Sequence, residues 1–140
     1  MASEPHRPPI DDPQTSQIIG AAFEVHREFG CGFSEPIYRE GFTVELLRCG
    51  VPFAREIALP VYYKGDLLPL HYRADFLCFE DVLVELKAIP ALGPREYAQV
   101  RNYLRVARKP LGLLLNFGAD SLQHRRIELP DTHARRVGLE

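Results

Sequence analysis

The sequence predicts a single α/β domain. Two segments in the first third carry apolar residues at helical spacing, the period then changes to that of strands, and a third helical segment precedes a continuous apolar run. The 140 residues, 46% of them hydrophobic, are enough for one domain to bury a core without disulfides or structural metal.

The first two helices are indicated by apolar side chains that recur every three or four residues. Gly30 is expected to end the first helix, and Gly50 the second. Ser34 is a candidate N-cap for the second helix, and Pro36 is tolerated in its first turn because amides there have no intrahelical acceptor. The apolar positions are Ile18, Ala22, Val25 and Phe29 in the first helix and Ile37, Tyr38, Phe42, Leu46 and Cys49 in the second.

Strand-like segments follow. Residues 53–63 form the first, and Pro60 within it predicts a bend or an edge position. After a turn at Lys64-Gly65-Asp66, short extended stretches lead to residues 73–79 and 82–88, which we expect to pair as neighbouring strands.

The last third of the chain adds one helix and two strands. Residues 94–107 predict a helix that Pro94 opens and Lys109-Pro110 closes. The apolar run 111–117 is typical of a strand covered on both faces. Residues 126–129 are expected to add an edge strand.

The folded domain is therefore placed at residues 14–129, between a proline-rich disordered arm (1–13) and a frayed tail (130–140). No apolar run approaches the roughly 20 residues that span a bilayer, and the first residues do not resemble a signal peptide. Three cysteines without metal-ligand spacing favour reduced thiols. These features predict a cytoplasmic protein with no membrane association.

The charge is nearly balanced overall and unevenly distributed. A formal charge of −2 and a pI of about 6.2 exclude a globally basic nucleic-acid coat protein. Between residues 95 and 109, however, five basic side chains accompany a single acidic one, Glu96. Arg101, Arg105 and Arg108 form a stripe suited to a phosphate backbone, although a solvated helix face without a partner fits the same composition.

Two charged side chains enter an otherwise apolar strand. Alternation puts Glu85 and Lys87 on one face of the strand 82–88. Whether Asp75 shares that face depends on the preceding connection. A three-residue loop at 79–81 would pair Asp75 with Glu85 and Arg73 with Lys87, whereas a two-residue turn would put the carboxylates on opposite faces.

If the carboxylates share a face, they predict a site for a divalent cation. Two carboxylates a few ångströms apart resist ionising together, and Mg²⁺ or Mn²⁺ prefers such oxygen ligands. Lys87 would point at the same place, where it could polarise a nucleophile or stabilise charge on phosphorus. The alternative is that Glu85 and Lys87 line the wet face of a half-exposed strand.

Several motifs resemble those of one group of proteins. The segment Gly32-Phe-Ser-Glu35-Pro-Ile-Tyr38 resembles the signature of the GxxExxY proteins, a bacterial family of the PD-(D/E)xK nuclease superfamily. Asp75 and Glu85-Leu-Lys87 are similar to the aspartate and E-x-K strands of that superfamily, with Ala74 in place of the proline. Gln99-Val-Arg-Asn-Tyr103 is similar to the Q-h-x-x-Y helix motif of RecB-type nucleases. The resemblance implies a restriction-endonuclease-like core, a mixed central β-sheet flanked by helices in α-β-β-β-α-β order, which agrees with the elements above.

The resemblance also implies roles for individual residues. Asp75 and Glu85 correspond to metal ligands, Lys87 to the catalytic lysine, and Glu35 to a further ligand or an orienting residue. Gln99 and Tyr103 would contact the site or the nucleic acid, alongside the arginine stripe.

The function expected from these roles is hydrolysis of DNA phosphodiester bonds by a water that Mg²⁺ or Mn²⁺ activates, with RNA not excluded as substrate. The main alternative is a catalytically silent nucleic-acid-binding module of the same fold. A third hypothesis, a structural partner in an oligomer, rests on Cys31 and Tyr62-Tyr63. So small a domain is expected to hold DNA with the help of a second copy, as a homodimer, or of a partner protein.

Overall fold

The computed structural model describes residues 12–129, which form a five-stranded mixed sheet with helices on both faces. This is the predicted fold class. The elements of the described residues are α1 (Pro13–Phe29), α2 (Glu35–Cys49), β1 (Phe53–Tyr63), β2 (Asp66–Cys78), β3 (Val82–Lys87), α3 (Pro94–Ala107), β4 (Leu111–Asn116) and β5 (Gln123–Glu128). Over this range, no helix is long and apolar enough to cross a lipid bilayer.

The strands lie side by side in the order of the sequence, from β1 at one edge to β5 at the other. All neighbours are antiparallel except β3 and β4, which are parallel and are joined by a crossover through α3. Every residue of β4 is buried, as its unbroken apolar run predicts for a strand covered on both faces.

Two apolar clusters hold the layers together. The larger lies between the sheet and the helices α1 and α2, and includes Ile18, Phe42 and Phe76. The smaller lies under α3, where Val100 and Leu104 pack on the other face of the sheet. Both faces are therefore covered near the centre of the sheet, and polar chemistry is confined to places where strands end or separate.

The structure corrects some predicted boundaries. Asp12 caps α1 by accepting the Gln14 N–H at 3.0 Å, so Asp12 and Pro13 belong to the domain and not to the arm placed at residues 1–13. The rest of that arm, residues 1–11, and the tail 130–140 lie outside the described residues. In addition, β2 is one continuous strand from Asp66, and β5 begins at Gln123 and ends at Glu128.

Candidate active site

The loop between β2 and β3 decides which side chains meet. Cys78 pairs with Val82, so residues 79–81 form a three-residue loop. Phe79 and Glu80 adopt left-handed backbone conformations, with φ of 54° and 64°, which reverse the chain in this short distance. Of the two connections that the sequence left open, this is the one that brings Asp75 and Glu85 together.

Asp75 and Glu85 lie where β2 and β3 separate. The ladder ends at Phe76 and Val84. Beyond it, the Asp75 N–H donates to Glu85 Oε1 at 3.2 Å, and the Leu86 N–H donates to Asp75 Oδ2 at 2.8 Å. Each carboxylate therefore accepts a hydrogen bond from the backbone of the opposite strand, and this exchange fixes both side chains.

The predicted pairing of Arg73 with Lys87 is wrong, because the ladder has ended before it reaches them. Arg73 instead donates to the carbonyl of Glu56 on β1, at 3.3 Å. Strand alternation predicts that the pairing of β2 with β3 continues to Arg73 and Lys87. Instead, the side chains of Asp75 and Glu85 bond backbone groups at the point where the strands separate.

Asp75 also marks a change of face along β2. Phe76 packs in the cluster under α1 and α2, whereas Ala74, two residues away, packs in the cluster under α3. Regular alternation would put both on one face. On β1 the ladder skips Glu56, whose φ is 50°, at the same level. This local twist lets Asp75 meet groups from both helical layers.

Glu35 and Arg39 reach Asp75 from α2. Glu35 is the first residue of this helix, and Arg39 follows one turn later. Arg39 Nη2 lies 2.6 Å from Glu35 Oε2, and Arg39 Nε lies 3.4 Å from Asp75 Oδ1. The guanidinium therefore bridges two carboxylates on different elements.

The three residues of the Gly32, Glu35 and Tyr38 motif have different structural roles. Gly32 has a φ of 115°, which favours glycine in the turn before α2. The Tyr38 hydroxyl donates to the Gly30 carbonyl at 2.5 Å and accepts the Phe33 N–H at 3.3 Å. Gly32 and Tyr38 thus build the turn, and Glu35 is the member that faces Asp75.

The pKa values of all three carboxyl groups are raised, chiefly by burial. Burial is the largest cause for Glu85, which is 8% exposed, and the charge of Asp75 adds to it. Burial likewise raises the pKa of Asp75, and burial followed by the charge of Asp75 raises that of Glu35. Lys87 opposes all three shifts. Three ionised carboxylates are therefore unfavourable here without added positive charge, which a bound cation would supply.

The α3 residues of the RecB-like motif lie beside this cluster. Burial raises the pKa of Tyr103 to about 12, and the charges of Glu85 and Asp75 contribute. One helical turn earlier, Gln99 Oε1 is buried and accepts no hydrogen bond from any described residue. Arg101, Arg105 and Arg108 are exposed on the same helix.

The donor set fits a hard divalent cation in chemistry. Within residues 12–129, no three or more His, Cys, Asp or Glu side chains are grouped so as to hold a metal ion. The predicted set of Asp75, Glu85 and Glu35 is accordingly not assembled as one cluster, because Arg39 engages Glu35. Asp75 and Glu85 nevertheless offer carboxylate oxygens in a buried place, which are the ligands that Mg²⁺ and Mn²⁺ prefer.

Two residues of the site were missed by the sequence analysis. Arg39 carries a weak signal, since it follows Glu35 at the i, i+4 spacing of helical ion pairs. Asn116 is a polar residue at the end of the apolar run, and it is fully buried. Its amide accepts the Ile89 N–H and donates to the Ile89 carbonyl, both at 2.9 Å, which fixes the chain just after Lys87.

Comparisons with known proteins agree with this architecture. A family model described as the PD-(D/E)XK nuclease superfamily matches residues 12–127. The solved structure titled "Crystal structure of SSO0001" aligns with 17% sequence identity and a TM-score of 0.55, over 75% of this chain and 56% of that one. At this identity the alignment shows a shared fold, and the chain spans little more than half of that protein. No curated protein matches.

Proposed function

Because the chain belongs to the PD-(D/E)XK nuclease superfamily, we propose that it is a nuclease that hydrolyses phosphodiester bonds of DNA with the help of Mg²⁺ or Mn²⁺. The observation that carries the proposal is the exchange of hydrogen bonds by which Asp75 and Glu85 are held where β2 and β3 separate. Lys87, two residues beyond Glu85, completes the set. Within the superfamily, the motifs favour the GxxExxY family, with a RecB-type helix.

In this proposal Asp75 and Glu85 hold the cation through their carboxylate oxygens. A divalent cation bound there would act as a Lewis acid. It would lower the pKa of water, which then loses a proton and attacks phosphorus more readily, and it would offset negative charge on the phosphate. Glu35 and Arg39 orient Asp75, since the guanidinium contacts both carboxylates.

Lys87 is assigned the role of stabilising charge on the scissile phosphate. Its backbone at the end of β3 is fixed, because the Phe117 N–H donates to the Lys87 carbonyl at 2.8 Å. With its backbone fixed, Lys87 can direct its ammonium toward a phosphate oxygen that gains negative charge in the transition state.

The nucleic acid is expected to lie along α3. Tyr103 lies close enough to Glu85 and Asp75 for their charges to raise its pKa, and one turn earlier Gln99 Oε1 is buried and accepts no hydrogen bond from any described residue. Arg101, Arg105 and Arg108 would contact phosphates. RNA shares that backbone and is included as a candidate substrate, and a second copy or a partner protein is expected to help hold it.

One observation favours the catalytically silent binding module instead. Arg39 already supplies positive charge between Glu35 and Asp75, which is the role that a metal ion would take. A site that keeps its arginine in place could hold the fold and bind nucleic acid without cleaving it.

Cleavage by the wild-type protein separates the two hypotheses. Supercoiled plasmid and single-stranded DNA are incubated with the protein in Mg²⁺, Mn²⁺ or EDTA, and binding is measured in parallel. Cleavage that requires the metal and stops in EDTA supports the nuclease. Salt-sensitive binding without cleavage in either metal would establish the silent module.

A further inference from the structure

A groove of about 890 Å³ separates the β1–β2 hairpin from the second half of α3. Its floor is apolar and includes Leu59, Leu77 and Leu83, while Tyr62 and Tyr72 of the hairpin line its side. None of these contacts is needed for the chemistry assigned to Asp75, Glu85 and Lys87. The groove is therefore a second feature that needs an explanation.

The charges that line the groove are all positive. Lys64, Arg105, Arg108 and Lys109 contribute to its wall, and no Asp or Glu does. Lys109 is engaged with the Glu80 carbonyl at 2.8 Å. The ion pairs formed within residues 12–129 do not include Lys64, Arg105 or Arg108. The wall thus complements a ligand with several negative charges.

Exposed aromatic rings accompany these charges. Tyr62 is 62% exposed and Tyr72 is 39% exposed. The Tyr72 ring lies 5.0 Å from that of Tyr103, between centroids. Because Tyr103 lies beside Asp75 and Glu85, the groove leads to the candidate active site.

Aromatic rings and an apolar floor distinguish one nucleic-acid form from another. A duplex conceals the faces of its bases and presents mainly phosphates and base edges, so it would gain little from this floor. A single strand exposes base faces that stack on tyrosine, while its phosphates pair with arginine. The groove combines both kinds of contact within a volume at the upper end of the roughly 300–1,000 Å³ of small-molecule sites, which suits a short stretch of one strand.

We propose that this groove binds single-stranded nucleic acid, with bases stacked on Tyr62 and Tyr72 and phosphates held by Arg105 and Arg108. The proposal rests on the proposed nuclease function for its consequence, which is that the strand is led past Tyr103 to Asp75 and Glu85. It names unpaired nucleic acid as the substrate class of that site.

Binding in EDTA tests the groove independently of catalysis. Fluorescence anisotropy is measured with labelled oligo-dU, oligo-rU and a duplex of equal length; EDTA prevents cleavage, so the result reports binding alone. We expect either single strand to bind more tightly than the duplex, and the tighter of the two identifies the sugar that the groove accepts. Equal or tighter binding of the duplex would overturn the proposal.

Matched substitutions test the two kinds of contact. Tyr62→Ala should weaken binding of the preferred single strand about tenfold, as expected for loss of one base stack. Phe23→Ala is the control, since Phe23 is an aromatic residue of α1 that is 47% exposed and outside the groove lining. Equal effects of Tyr62→Ala and Phe23→Ala would contradict the proposal.

Arg105→Ala should lower the slope of log K against log salt by about 0.7, the value expected for one phosphate contact with a single strand. Arg48→Ala, an exposed arginine on α2 across the sheet, is the control and should leave the slope unchanged. An unchanged slope in Arg105→Ala would contradict the phosphate contact. A change in molecular mass by light scattering in Tyr62→Ala would instead identify the groove as a contact between copies, which would also overturn the proposal.

Discussion

In the metal-free protein, Arg39 is the cation that contacts both Glu35 and Asp75. Burial makes both carboxylates harder to ionise, and the charge of Asp75 adds to this effect at Glu35. At the scale of single residues, the site is therefore a balance between three carboxylates and two fixed cations, Arg39 and Lys87. A divalent cation would change that balance, so the stability of the protein should depend on it.

Arg39→Ala is expected to lower the free energy of unfolding by about 1–3 kcal/mol in EDTA, because it removes a charge-assisted hydrogen bond to Glu35 and an ion pair with the partly buried Asp75. Added Mg²⁺ or Mn²⁺ should raise the Tm of the variant more than that of the wild type. Arg55→Ala, which removes a surface pair with Glu40, is the control and should cost about 0–1 kcal/mol without any metal dependence. Equal metal responses in the two variants would show that Arg39 does not share its site with a cation.

Glu85 predicts how the stability of the metal-free protein varies with pH. Its pKa is raised by burial and by Asp75 above its usual 4.5, so the folded chain binds a proton more readily than the unfolded chain. Below pH 4.5 both states are protonated and Glu85 has no effect, whereas above it the folded state loses stability as the pH rises.

Glu85→Gln should remove this loss. Relative to wild type in EDTA, the variant should gain up to about 1.4 kcal/mol for each pH unit over which Glu85 is protonated only in the folded chain. Urea unfolding between about pH 5 and 8 measures the difference. Glu40→Gln is the control, because Arg55 lowers the pKa of Glu40 and so gives the opposite sign. A wild-type slope that persists in Glu85→Gln would contradict the assignment.

Contacts between the ends of β3 and β4 fix the backbone next to the site. Asn116 bonds the backbone of Ile89, and the chain after Lys87 passes so close to Gly118 that a Cβ there would lie 2.4 Å from the Ile89 backbone. At the scale of elements, the position of Lys87 therefore depends on a close backbone approach that only glycine allows.

Gly118→Ala should destabilise the protein by about 1–3 kcal/mol, since backbone must move to admit the methyl group. Gly20→Ala is the matched control, because Gly20 lies in α1 with nothing within 4 Å of the added Cβ. There the substitution should stabilise by about 0.5–1 kcal/mol. Urea denaturation compares the two, and similar values for both would mean that the segment after Lys87 is not held in this way.

The helices were predicted more closely than the strands, for a local reason. Proline and glycine mark the ends of α2 and α3, and the bounds of α3 match the prediction of residues 94–107. Strand limits depend on partners that are distant in sequence, so β5 was predicted to start three residues late. The register of β2 and β3 depended on one residue of loop length, which alternation alone does not determine.

The whole molecule carries a formal charge of −2, which describes no single surface of it. Asp75 and Glu85 are held together where β2 and β3 separate, Arg39 links Asp75 to Glu35, and arginines line one groove beside α3. Glu85 and Lys87 could be placed on one face from strand alternation, whereas Asp75 was named from its resemblance to the superfamily's aspartate strand and joins them through the three-residue loop. Arg39 and the groove could not be predicted in either way, because they arise only when α2, the β1–β2 hairpin and α3 pack around the sheet.

The proposed function requires that the site of Asp75, Glu85 and Lys87 cleaves nucleic acid. The most direct test measures cleavage of plasmid and single-stranded DNA by Lys87→Ala and Asp75→Ala under conditions in which the wild type is active. Arg48→Ala on α2 and Asp66→Ala at the turn of the β1–β2 hairpin are the controls, since each removes one exposed charge of the matching sign outside the site and the groove. We predict that both site variants lose at least about a hundredfold in rate, in the range typical of removing one group that stabilises transition-state charge, and that both controls retain cleavage. Cleavage that survives both Lys87→Ala and Asp75→Ala would contradict the account.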